Sequence, residues 1–204
     1  MWNWLCTFTV AEVTSIIQAG VVVIVAIPTF LGLNSWRLQV LGKKKIDLAE
    51  EALALSYELQ SIIEWVRHPA SFGGEGQDRD NRDQEPEARQ RLNDAYYSRI
   101  SRLNESKEEF ARLRSLRPVF RAYFGSEAQD ALMDFVIVRN QINTAVGMLI
   151  NHTDEDDYPQ EIINKYEDII WDTCDAKNPD EIRKKMNDAV AKLEQVCAPV
   201  LRSR

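Results

Sequence analysis

Chemistry needs particular side chains at particular spacings, and this chain offers few of them. It holds two histidines, His68 and His152. A zinc or di-iron site wants several His, Cys or Glu side chains converging at i, i+3 or i+4 spacing. Neither Glu-x-x-His nor His-x-x-x-His occurs. The run Asp154, Glu155, Asp156, Asp157 has the composition of a calcium loop without its order, which alternates ligands, turns on a glycine and ends in a bidentate Glu. Cys6, Cys174 and Cys197 form no framework and read as free, reduced thiols. No catalytic residue, metal site or cofactor is expected.

Charge is the more informative pattern. The 204 residues carry 25 Lys and Arg against 32 Asp and Glu, a net of −7. A chain this acidic is not a general binder of nucleic acid or anionic lipid. The charge is also segregated. Arg89–Arg121 holds nine basic and four acidic residues, and Thr153–Glu181 holds eleven acidic residues and two lysines. Arg114, Arg117 and Arg121 share one helix face at spacings of three and four. Two expectations compete. Either the basic helix faces the acidic segment within one domain or is simply solvated, or the arginines and Asp154–Asp157 meet a partner: a second copy head to tail, or at the arginines an acidic protein, a nucleotide or RNA.

Helices must position these groups. Leu41, Lys45, Leu48, Ala52, Leu55, Leu59, Ile62 and Val66 follow heptad spacing, which predicts a helix over 35–67 that Pro69 stops. The segment of about 73–88 has no large apolar side chain and is expected to be a mobile, charged loop that buries nothing. A second helix is expected over 87–124, with Leu92, Tyr96, Leu103, Phe110, Leu113, Phe120 and Phe124 inward and a bend or split at Pro118. Gly125 ends it, and Ser126 with Gln129 opens a third helix to about Asn151. A short fourth over about 159–175 follows. Asn178, Pro179, Asp180 and Glu181 then start the fifth and last helix. No stretch alternates with period two. The expected fold is all-α: an N-terminal transmembrane helix and then an antiparallel bundle of four to five helices.

The transmembrane expectation rests on Val13–Trp36, 24 residues without a charge. As a helix it would be about 36 Å long, enough for a hydrocarbon core of about 30 Å. Trp2, Trp4 and Trp36 bracket it, and Arg37, Lys43, Lys44 and Lys45 lie only on its C-terminal side. That asymmetry predicts a single-pass inner-membrane protein with its N-terminus outside and residues 37–204 in the cytoplasm, residues 1–36 forming the tail and anchor. Ser15, Gln18 and Ala19 would favour association of such helices.

Two resemblances bear on function. Lys45-Ile46-Asp47-Leu48-Ala49-Glu50-Glu51, with the later Ser71-Phe72-Gly73-Gly74-Glu75-Gly76, resembles a group of uncharacterised bacterial single-span membrane proteins with a helical cytoplasmic domain. The resemblance implies the same placement and no particular activity. Arg139-Asn140 resembles the opening of the catalytic motif of the all-helical HEPN ribonucleases, which needs a His four residues after the polar one; here that position is Thr144. The expected function is a membrane-anchored, non-catalytic helical interaction or scaffold module. Its expected partners are the lipid bilayer and a second copy or another protein, not nucleic acid. The alternatives are an oligomeric membrane effector and a degenerate HEPN-like enzyme.

Overall fold

The computed structural model describes residues 10–151, 159–173, 175 and 180–202, with only some side chains described between residues 10 and 34. Six α-helices run in order among these residues: α1 (Val10–Arg67), α2 (Glu87–Glu105), α3 (Lys107–Phe124), α4 (Ser126–Asn151), α5 (Gln160–Ile170) and α6 (Glu181–Arg202). One 3-10 turn, Arg82–Gln84, precedes α2. No described residue is in a strand. The chain divides into two compact units, Met1–Ile46 and Asp47–Arg204.

The first unit corrects the N-terminal expectation. Among the described residues no helix is long and apolar enough to cross a membrane. The charge-free stretch is not an element of its own but the opening of a helix of 58 residues. Its described side chains include the polar Thr14, Ser15, Gln18 and Ser35 beside Val21 and Val22, all exposed. An all-α fold therefore stands, and an N-terminal transmembrane helix does not.

The second unit is a helical bundle. Helix α4 lies at its centre, in contact with α2, α3, α5 and α6. Its sequence explains why. Ala128, Ala131, Leu132, Phe135, Val138, Ile142, Ala145, Val146 and Leu149 recur at steps of one, three and four, a stripe broad enough to be covered from several sides, and all are buried. Helix α6 contributes Ile182, Met186, Ala189, Val190, Leu193 and Cys197. From α1 come Leu48, Ala52, Leu55, Leu59, Ile63 and Val66. The heptad seam of α1 thus enters the core only from Leu48 on: Leu41 is half exposed, and Ile63 takes the fully buried place expected for Ile62.

Side-chain rungs fix the directions. Tyr57 and Gln60 on α1 bond Glu194 and Asn187 on α6, so residue numbers rise on one helix as they fall on the other. Likewise Trp65 and Glu58 on α1 meet Arg102 and Arg112 on α2 and α3. Helix α1 is therefore antiparallel to α6, α2 and α3, while α2 and α3 continue in one sense through Ser106.

The helix expected over 87–124 breaks at Ser106 (φ −98°, ψ 27°), not at Pro118, which lies inside α3. Ser106 falls on the inward stripe between Leu103 and Phe110, and its hydroxyl bonds back to the Arg102 carbonyl. A serine bonding to the backbone offers an alternative to the helical ladder. Pro118 removes only one ladder bond. Leu92, expected inward, is exposed.

Candidate functional site

The arginines of 89–121 do not form one surface. The structure divides them. Arg99 and Arg102 are 0% and 1% exposed, and Arg67 on α1 is equally buried. All three serve one end of the bundle, where α1 stops and α5 and α6 meet.

Arg102 donates through Nε and Nη2 to both oxygens of Glu75, at 3.1 and 2.7 Å. It also donates to the carbonyls of Trp65, His68 and Ala70. Those carbonyls lie at and just past the C-terminal end of α1, where helical acceptors run out of donors. Its guanidinium lies 4.2 Å from the centroid of the Trp65 ring. This paired guanidinium holds the Glu75 carboxyl below its ordinary value. Among the described residues Arg99 has no carboxylate ion-pair partner. It donates to the Ala95 and His68 carbonyls and to Ser98, and stacks 4.0 Å from the Trp171 centroid. Burial, and then the neighbouring Arg102, push its pKa down to about 9. Arg67 donates to the carbonyls of Ile169, Asp168 and Trp171 at the end of α5, and to Asp180 at 3.0 Å. Asp180 in turn accepts from the Arg183 N–H and so caps α6.

The segment expected to bury nothing is built the same way. Arg79 is buried, with Nε 3.0 Å from Asp94 and its two terminal nitrogens on Glu85. Arg82 joins it on Asp94. Gly76 has φ +76°, and a Cβ there would lie 2.1 Å from the Asp94 carbonyl oxygen. Guanidinium–carboxylate pairs replace the apolar side chains that this loop lacks.

Arg114, Arg117 and Arg121 are different. Arg114 and Arg121 are exposed and Arg117 half-buried. None of the three has an ion pair among the described residues, whereas Arg91 and Arg112 do. The face expected from spacing exists on α3, and no carboxylate among the described residues pairs with it.

Asp154, Glu155, Asp156 and Asp157 lie outside the described residues, as do His152, Cys6 and Cys174. The described acids of the same region line an open groove of about 900 Å³ at the α5–α6 end, among them Glu167, Asp168, Asp172, Asp180 and Glu181. Asp172 and Asp180 pair with Arg183 and Arg67, and Glu167 accepts from the Tyr96 hydroxyl. Asp168 and Glu181 are exposed.

No other expected group converges. His68 stacks on Trp65, and its Nδ1 accepts from the Ala70 N–H at 3.2 Å. Arg139 turns to the Phe110 ring, 5.1 Å away, while Asn140 and Thr144 line a shallow pocket of about 310 Å³ without a histidine or carboxylate. The positions expected to resemble a HEPN motif thus diverge. Ser15 and Gln18 are exposed on α1, and the Ala19 side chain is outside the description. Among the described residues no group of three or more His, Cys, Asp or Glu side chains could hold a metal ion.

One sequence signal could have located the buried arginines. Tyr96, Arg99, Leu103, Ser106 and Phe110 continue a single seam at steps of three and four, so Arg99 stands where an apolar residue belongs. Comparison of the chain with protein-family models, with curated proteins and with solved structures finds no match.

Proposed function

We propose that this chain is a non-catalytic helical interaction module, and that the arginine face of α3 is the surface with which it docks an acidic protein. One observation carries the reading: Arg114, Arg117 and Arg121 stand together on one face without an ion pair among the described residues, while most arginines around them are committed to carbonyls or carboxylates. Arginine presents a rigid fork that matches carboxylates two hydrogen bonds at a time. Each exposed pair is worth only about 0–1 kcal/mol, so such a face acts through several pairs and through steering.

The test is binding of a fluorescent polyglutamate peptide to the full chain, followed by anisotropy as salt is raised. Binding should be present at low salt, fall as salt rises, and be lost in Arg114→Glu/Arg117→Glu/Arg121→Glu. A triple variant that binds as the parent does overturns the proposal.

A further inference from the structure

We infer that the acidic surface met by the α3 arginine face is the α5–α6 end of a second copy of this chain. The inference rests on the docking role given above for α3 and names its partner.

Both surfaces belong to the second unit, and the geometry of that unit keeps them apart. Helix α1 serves as the ruler. Arg67, on α1, pairs with Asp180 at the acidic end. Glu58, also on α1, pairs with Arg112 on α3. Nine residues of helix separate Arg67 from Glu58, about 13 Å at ~1.5 Å per residue. Helix α3 runs antiparallel to α1, so Arg114, Arg117 and Arg121 lie progressively farther from the acidic end, about 16–27 Å away along the axis. An ion pair needs contact within 4 Å or so. The arginine face and the exposed carboxylates Asp168 and Glu181 therefore do not neutralise each other within one chain.

They do match between chains. One end offers three guanidinium groups on a single helix face, none of them ion-paired among the described residues. The other offers the groove flanked by Asp168 and Glu181, whose inner carboxylates are already held by Arg67 and Arg183. The outer two have no partner among the described residues. Placing the arginine end of one copy on the acidic end of the next lets both surfaces pair at once. Such a contact joins two different patches, so copies add head to tail into a ring or a filament rather than closing into a two-fold dimer. Opposite charge sets the order of the copies; like ends repel.

A complementation experiment tests this on the full-length chain by sedimentation velocity at low salt. One variant, Arg114→Glu/Arg117→Glu/Arg121→Glu, lacks the arginine face. The other, Asp168→Asn/Glu181→Gln, neutralises the acidic end. Circular dichroism checks that both fold. The parent chain should form a concentration-dependent series of oligomers that raised salt reverses. Each variant alone should be monomeric, and their mixture should give a dimer and nothing larger, because one intact arginine face meets one intact acidic end. A parent chain that stays monomeric at low salt overturns the inference, as does self-association that neither variant reduces. If the parent is monomeric yet binds polyglutamate through α3, the self-docking fails and the docking role stands. If polyglutamate binding is absent too, both fail.

Discussion

Replacing Arg102 by Met should cost the fold about 3 kcal/mol. The substitution keeps the buried stem, so the loss is chiefly polar. Three terms set its size. The Ala70 carbonyl loses its charged donor, at about 1–3 kcal/mol, while the Trp65 carbonyl keeps a bond from the His68 N–H and contributes little. The His68 carbonyl keeps its bond from Arg99 and contributes little. Glu75 loses a two-pronged partner, but its side chain is 22% exposed and can rehydrate, which holds that term to about 1 kcal/mol. Against these stands relief of Arg99, whose charge Arg102 disfavours. Glu75→Gln alone should therefore cost only about 1 kcal/mol, and the double variant should fall short of the sum by a like amount. Urea unfolding of the full chain, with the slope checked for constancy, measures all three. An Arg102→Met variant that loses less than about 1 kcal/mol would refute the idea that this guanidinium closes the end of α1.

Further outcomes follow from the same structure. Phe135→Ala, at the fully buried centre of α4, should cost about 3–5 kcal/mol in the same unfolding assay. Gly76→Ala should destabilise by more than about 1 kcal/mol, because φ is positive and the new Cβ would strike the Asp94 carbonyl; loss of the ordered loop would register as faster proteolysis between Phe72 and Pro86. Stability should fall on acidification. Glu75, Glu85 and Asp180 have carboxyls held below their ordinary values, so their contribution is complete above the unfolded pKa of about 4–4.5 and is lost as pH drops through the folded values; a thermal midpoint unchanged between neutral pH and pH about 3 would contradict this. The Cys197 thiol, pushed up to about 11 by burial, should resist a thiol reagent in Cys6→Ser/Cys174→Ser until denaturant is added.

The helices were legible where local chemistry speaks. Gly125 followed by Ser126 marked the α3–α4 turn, and the apolar stripe from Ala128 to Leu149 marked α4 as a core helix. Pro86 and Glu87 opened α2 where expected. Helix α5 ended at Ile170, earlier than expected, because Arg67 takes up its last carbonyls. Such a partner lies about a hundred residues away in the chain and leaves no local trace. Arg79 finds its carboxylates nearer by, Glu85 in the same loop and Asp94 on α2, so a loop with no large apolar side chain still acquired buried groups, but the charge pattern did not say which acids it would meet. The charge-free opening of α1 misled because composition alone cannot say where a helix stops; this one runs on through Lys43, Lys44 and Lys45 to Arg67. Of the candidate site, the α3 face was readable from spacing. That its arginines are unpaired was not, since pairing depends on which acids the fold brings near.

The most direct measurement is the salt-dependent binding of polyglutamate to the full chain, compared between the parent and Arg114→Glu/Arg117→Glu/Arg121→Glu. Binding that weakens steadily with salt and vanishes in the variant is the result expected of an arginine docking face. Equal binding by the two chains, or none by either at low salt, would contradict it.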